Sequence, residues 1–119
     1  MRVLGFSKKW PKLLQPSFTT FRFSRRDRDW EVEELVQIVI QPRSKGGGER
    51  LGTAEIMSKE LRRAAPFYGL AGLEITKAEA IEDGFGNQSE MIAWLIGAHG
   101  FQRVSTEQLN KLSLRWIDG

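Results

Sequence analysis

The segment Leu35-Val36-Gln37-Ile38-Val39-Ile40 carries the strongest strand signal in the chain. Its β-branched side chains favour extended backbone. The run is also apolar almost without interruption, which is typical of a strand buried on both faces, as in the wall of a barrel. We therefore predict a sheet built around this segment.

The predicted partner strands lie on both sides of that segment. The loop over residues 42–50 is basic and contains three consecutive glycines, and residues 51–57 form the predicted returning strand of a long hairpin. The tail could be a helix or a strand, but the alternation of Leu112 and Leu114 with polar residues favours a strand that closes the sheet. The other predicted strands span residues 3–6 and 18–23.

Helix signals lie between the predicted strands. Thr76 and Glu79 have the spacing of a capping box, and Asn87 with Glu90 gives a second N-terminal capping signal. The predicted helices span residues 8–14, residues 77–82, and a segment that begins near Gln88 and ends at Gly97 or Gly100. Phe67 and Tyr68 are predicted to pack the intervening connection onto the core. This order predicts an α+β fold, a small mixed β-barrel with short helices inserted between strands.

Length and composition limit the function classes. The chain has 119 residues, one histidine and no cysteine. This length predicts a single domain, residues 1–119. Without cysteine there is no disulfide, thiol nucleophile or cysteine zinc site, and we expect no metal and no cofactor. No apolar run reaches the roughly 18 residues of a membrane span, so we expect a cytoplasmic protein with no membrane partner.

Positive charge is concentrated in the first half of the chain. Residues 1–50 contain 11 Lys or Arg against 6 Asp or Glu, a net charge of +5, whereas residues 51–119 have a net charge of −2. Four of the eight residues from Arg22 to Asp29 are arginine. An aromatic strand that leads into such a cluster is typical of a surface that binds a polyanion. The alternative is a solvated network in which neighbouring acids neutralise the arginines.

The candidate binding residues follow from this charge pattern. Arginine suits phosphate because its fork donates two parallel hydrogen bonds, and an aromatic ring can stack on a base. Trp10 is the favoured stacking residue, whereas Trp30, Trp94 and Trp116 are predicted to lie in the core. The predicted nucleic-acid-binding residues are Lys8, Lys9, Trp10, Thr19, Thr20, Arg22, Arg25, Arg43 and Lys45.

Several segments, in order, resemble an ASCH domain of the PUA-like superfamily. They are Ser7-Lys8-Lys9-Trp10-Pro11, Thr19-Thr20-Phe21-Arg22, residues 36–40, residues 52–56, Ile81-Glu82-Asp83-Gly84-Phe85 and Leu112-Ser113-Leu114-Arg115-Trp116. The resemblance spans nearly the whole chain. It implies a PUA-like β-barrel with a cleft between barrel and helices, and it implies binding of RNA or a modified nucleotide.

The same resemblance implies an alternative, enzymatic function. Some members of this superfamily hydrolyse the acetyl amide of N4-acetylcytidine with a lysine, a threonine and a carboxylate, and others are ribonucleases. The threonine matches Thr20 and the carboxylate matches Asp83, which are therefore the candidate catalytic residues. The lysine matches about Ser17, so the amine is absent at that position. The alternative for Asp83 is a turn carboxylate that precedes Gly84, which is a common local hydrogen-bonding role.

Overall fold

The computed structural model describes residues 1–64, 66 and 72–118. The strands are β1 (Arg2–Phe6), β2 (Ser17–Phe23), β3 (Leu35–Ile40), β4 (Glu49–Arg63) and β5 (Gln108–Asp118). The helices are a 3₁₀ helix (Pro11–Leu14), α1 (Lys77–Asp83), α2 (Gln88–His99) and α3 (Phe101–Thr106). The predicted α+β class with short helices between strands is confirmed.

The five strands form one mixed sheet that curls into a half-barrel. Its strand order is β1-β3-β4-β5-β2, with β1 parallel to β3 and the other neighbours antiparallel. The predicted tail strand is present, but it joins β4 to β2 inside the sheet. Val36 and Ile38 of β3 are fully buried, as its sequence predicts. The order leaves β1 and β2 as the two edges of the curled sheet.

Both capping signals identify real helix starts. In α1, the Thr76 hydroxyl accepts a hydrogen bond from the Glu79 amide at 3.1 Å, and the Glu79 carboxylate accepts one from the Thr76 amide at 3.0 Å. The Asn87 side chain accepts a hydrogen bond from the Glu90 amide at the start of α2. Helix α1 ends at Gly84, whose φ of 114° favours glycine.

Other elements differ from the sequence-based prediction. Strand β4 continues to Arg63 because β5 pairs with it along that length, although the added residues are mostly charged and exposed. The first helix is shorter than predicted and begins at Pro11, which suits the first position of a helix. Helix α3 was not predicted. The packing predicted for Phe67 and Tyr68 lies outside the described residues.

One predicted core residue is corrected by the structure. Trp94 of α2 keeps 40% of its surface exposed, whereas Trp30 is buried and Trp116 packs, partly buried, against the core. Only Met91 and Leu95 of α2 are buried. Because apolar residues occupy several sides of this helix, its sequence pattern does not distinguish the face that packs inward.

Among the helices of the described residues, none is long and apolar enough to cross a membrane.

Candidate nucleotide-binding cleft

A cleft of about 900 Å³ lies between the two edge strands of the half-barrel and helix α2. Phe6 of β1 and Arg22 of β2 both line it, and the Arg22 guanidinium lies 4.6 Å from the centre of the Phe6 ring. The end of α1 contributes Asp83, and the loop after β3 contributes Arg43. The curl of the sheet thus brings together residues that are far apart in the chain.

Aromatic side chains form much of the wall of this cleft. Trp10 packs against Phe85 and Trp94, with its ring centre 5.3 and 6.1 Å from theirs. Phe23 packs against His99, with ring centres 4.9 Å apart. The aromatic residues that line the cleft are Phe6, Trp10, Phe21, Phe23, Trp30, Phe85 and Trp94. Such a wall suits a planar ring.

Trp94 is the ring with the most surface available to a ligand. Trp10 is only 9% exposed, and the Lys8 ammonium lies 4.1 Å from its ring centre. A Cβ atom added at Gly84 would lie 2.9 Å from a ring carbon of Trp10, so the Gly84 backbone packs closely against this ring. Trp10 therefore offers little free ring surface, whereas Trp94, which packs edge-on against it, keeps 40% of its surface exposed.

The charge of the lining is strongly positive. Among the described residues that line the cleft, six are Lys or Arg and one is acidic. The basic residues are Lys12, Arg22, Arg25, Arg26, Arg43 and Arg103, and the acid is Asp83. A cleft with one sign of charge attracts ligands of the opposite sign.

The single acid is paired with a lysine inside the cleft. Lys12 Nζ lies 2.6 Å from Asp83 Oδ1, and it also donates a hydrogen bond to the Thr19 carbonyl oxygen at 2.8 Å. Both side chains are 8% exposed. Burial lowers the pKa of Lys12 and raises the pKa of Asp83, while the attraction between the two charges opposes both shifts. The two groups therefore form a buried ion pair at the wall of the cleft.

Arg22 lies beside this pair. Its Nε donates a hydrogen bond to Thr20 Oγ1 at 3.1 Å, because residues two apart in a strand share a face. Burial lowers the pKa of Arg22 to about 10, and the Asp83 charge opposes the shift. The guanidinium stays charged at neutral pH. Its Nη groups have no hydrogen-bond partner among the described residues and can donate to a ligand.

Strand β2 also offers backbone groups to the cleft. The Trp116 amide donates to the Pro16 carbonyl at 3.1 Å, and the register places Phe21 opposite Lys111. Because hydrogen-bonded and non-bonded pairs alternate along an antiparallel ladder, the Phe21 N–H and C=O point away from β5, towards the free edge. Phe21 lines the cleft. A donor and an acceptor side by side match the edge of a nucleobase.

The sequence-predicted binding residues divide between the cleft and other places. Trp10, Thr20, Arg22, Arg25 and Arg43 line it, and so does Asp83. Arg25 is also engaged by Asp27 at 3.2 Å. The residues outside the lining are Lys8, Lys9, Thr19 and Lys45.

Physical reasons explain two of these positions. Lys9 extends towards the hairpin, where its ammonium pairs with Glu49 at 2.7 Å. Thr19 is buried, and its hydroxyl has no hydrogen-bond partner among the described residues. Neither side chain lines the cleft with Arg22, although both are among the predicted binding residues.

Several cleft residues were missed by sequence reasoning, among them Lys12, Trp94 and Arg26. Lys12 reaches Asp83 across 71 residues of sequence, and no local signal indicates that contact. Trp94 was assigned to the core because of its apolar neighbours. Arg26 was not among the predicted binding residues, yet it lines the cleft and has no ion-pair partner among the described residues.

No group of three or more His, Cys, Asp or Glu side chains within the described residues has a metal-binding arrangement. The cleft chemistry consists of aromatic rings, cations, hydroxyls, one carboxylate and a strand edge. In comparisons with protein-family models, curated proteins and solved structures, nothing matches this chain.

Proposed function

We propose that the cleft binds RNA or a modified nucleotide, with the base inside it and phosphate at its cationic mouth. The observation that carries the proposal is the lining itself, in which seven aromatic rings and six cationic side chains surround a single carboxylate. Aromatic rings favour a planar base, and arginine forks favour phosphate. A ligand with both parts fits such a wall better than a purely apolar or purely anionic one.

In this proposal four residues of the cleft contact different parts of the ligand. Trp94 stacks on the base, and the Phe21 N–H and C=O pair with the base edge. Arg22 donates to an exocyclic oxygen or to a phosphate, since its Nη groups have no hydrogen-bond partner among the described residues. Arg43 binds phosphate from the loop after β3, and it has no ion-pair partner among the described residues.

The direct test is the affinity for a short single-stranded RNA, followed by tryptophan fluorescence at rising salt. Three of the four tryptophans line the cleft, so binding should change the emission. Phosphate contacts predict that the logarithm of affinity falls linearly with the logarithm of salt, with a slope of about −0.7 per contact. Absence of binding at low salt would remove the proposal.

We further propose that the chain is an ASCH domain with a PUA-like fold. The ordered family-like segments support this, and so does a half-barrel whose cleft is lined by Thr20 and Asp83, the residues that the resemblance selects. A cytoplasmic location remains a prediction from the sequence.

A second candidate function is hydrolysis of an N4-acetylcytidine-type amide. The observation that favours it is the Lys12–Asp83 pair. Lys12 contacts the Thr19 carbonyl oxygen and supplies an amine to the cleft that Thr20 also lines, whereas Ser17 occupies the family's lysine position. Thr20 Oγ1 accepts from Arg22, which leaves its own proton free to be donated to the substrate carbonyl. The Lys12–Asp83 pair would take a proton from the attacking water and return it to the departing nitrogen as the C–N bond breaks.

This candidate is tested by incubating the protein with N4-acetylcytidine and, separately, with RNA. We expect turnover that Thr20→Val and Asp83→Asn abolish while binding persists. Thr53→Val is the matched control, since Thr53 is equally buried but lies outside the cleft. Turnover that survives Thr20→Val and Asp83→Asn would place the reaction elsewhere. If neither substrate is turned over, the hydrolysis proposal is wrong and only the binding proposal stands.

A further inference from the structure

A second cavity, of about 590 Å³, adjoins the aromatic cleft. Four residues line both cavities: Ser24, Arg26, His99 and Arg103. The second cavity is completed by Gly100, Gln102, Thr106 and Glu107. We call the four shared residues the ledge. The two cavities therefore adjoin at the ledge.

The ledge presents cations and hydrogen-bond donors. Arg26 is exposed, with no ion pair or side-chain hydrogen bond among the described residues. The Arg103 guanidinium lies 4.3 Å from the Phe23 ring centre, which holds it in place. Its partner is Glu107, at 3.2 Å, in a pair whose side chains are both about half exposed. Such surface pairs are weak, so a phosphate can compete for the arginine.

Cations also lie on the cleft beyond the ledge. Arg43 lines the aromatic cleft but not the second cavity, whereas Arg26 lines both. A free nucleotide carries phosphate on one side of its sugar. A nucleotide inside a strand has phosphate on both sides of its sugar, and such a ligand can use the arginines of the ledge and Arg43 together.

We propose that the cleft takes an internal nucleotide of a single strand, with one phosphate on the ledge and the other at Arg43. The inference rests on the proposed function and deepens it, since it identifies the ligand as a polymer. The second cavity then holds the backbone as it leaves the cleft.

His99 provides a specific reporter of a phosphate on the ledge. It is the only histidine in the chain, so its imidazole resonances are unambiguous in NMR spectra. Burial holds the pKa of His99 below its ordinary value, and the charges of Arg103 and Arg22 act in the same direction. A phosphate bound at the ledge adds negative charge and should raise that pKa.

The experiment compares four ligands for each common base: the nucleoside, its 5′-monophosphate, its 5′-diphosphate and its 3′,5′-bisphosphate. The two doubly phosphorylated ligands carry similar charge, but only the bisphosphate has phosphate on both sides of the sugar. We expect the bisphosphate to bind at least tenfold tighter than the diphosphate and to raise the pKa of His99. Arg26→Gln should remove most of that gain.

The matched control is Arg63→Gln, which removes the same charge from an exposed arginine outside both cavities. It should leave all affinities unchanged. Equal binding of diphosphate and bisphosphate, or an Arg26→Gln effect no larger than that of Arg63→Gln, would overturn the strand inference while the proposed function stands. Absence of binding by every ligand and by the short RNA would remove both.

Discussion

Helix α1 carries two buried carboxylates one turn apart, Glu79 and Asp83, and their surroundings differ. Glu79 receives a hydrogen bond from the Thr76 amide and lies 2.8 Å from Lys111 Nζ and 3.3 Å from an Arg62 nitrogen. Burial alone would raise the pKa of Glu79, but these partners lower it to about 2. Among the described residues Asp83 forms an ion pair with Lys12 alone, and burial raises its pKa although the charges of Lys12 and Arg22 oppose the shift.

The difference separates a structural cluster from a candidate site. Every partner that could stabilise the Glu79 charge is already in place, so this group ties α1 to β4 and β5 and has no capacity for a ligand. Asp83 is incompletely compensated and faces the cleft. Strongly perturbed, under-compensated groups in clefts are typical of functional sites. Stability should therefore depend on Glu79, and ligand chemistry on Asp83 and its neighbours.

The largest expected effect is on stability, from Glu79→Ala. The substitution leaves Lys111 and Arg62 without that carboxylate and removes half of the capping box, so the free energy of unfolding should fall by about 3–5 kcal/mol. Urea denaturation measures it, with Glu49→Gln as control because the Lys9–Glu49 pair is exposed. A loss below about 1 kcal/mol would show that the Glu79 cluster is not structural.

Replacing Lys12, which pairs with Asp83, should lower the free energy of unfolding by less than Glu79→Ala does. The pH dependence of this loss should be opposite to that of the Glu79 contribution. In Lys12→Met, Asp83 loses its cation and its pKa should rise further. A carboxyl with a raised folded pKa contributes stability at low pH that is lost as pH rises through that pKa. The loss at neutral pH should be about 1–3 kcal/mol.

The Glu79 charge behaves in the reverse way. Its folded pKa is about 2, below the ordinary 4.5, so its contribution is present above pH 4.5 and is lost as pH falls towards 2. Denaturation of Lys12→Met and of the parent chain across pH 2–8 measures both trends. A Lys12→Met penalty that grows as pH falls would contradict the account of Asp83.

The next contrast is between two tryptophans. Trp94→Leu should weaken RNA binding by about 1–3 kcal/mol, because it removes the stacking surface. The matched control is Trp116→Leu, since Trp116 packs against Phe18 away from the cleft lining. Fluorescence titration of both variants provides the comparison. Equal loss of affinity in the two variants would mean that Trp94 has no stacking role.

The smallest expected effect concerns Lys9. Lys9→Gln should change stability by less than about 0.5 kcal/mol and leave the salt dependence of RNA binding unaltered, because its ammonium pairs with Glu49 outside the cleft lining. In contrast, removal of a phosphate-binding arginine should reduce the salt slope by about one. A reduced slope in Lys9→Gln would return Lys9 to the binding surface.

Local signals predicted much of the fold. The apolar run of β3 and the capping pairs Thr76–Glu79 and Asn87–Glu90 determine their elements through contacts within a few residues. Strand β4 was predicted only in part, because its charged second half is held by pairing with β5. Pairing between distant strands leaves no local pattern in the sequence.

The site was less predictable for the same reason. Thr20, Arg22 and Asp83 were selected from sequence and lie together in the cleft. Lys12 was not selected, since its contact with Asp83 depends on how the 3₁₀ helix meets the end of α1. Trp94 was assigned to the core because an apolar helix sequence does not reveal which ring remains exposed.

The most direct test of the central claim follows the four tryptophan indole N–H resonances by NMR while a short single-stranded RNA is added at low salt. Trp10, Trp30 and Trp94 line the cleft, and Trp116 does not. We predict the largest shift for Trp94, smaller shifts for Trp10 and Trp30, and none for Trp116. Shifts centred on Trp116, or no shift at any of the four, would contradict RNA binding in this cleft.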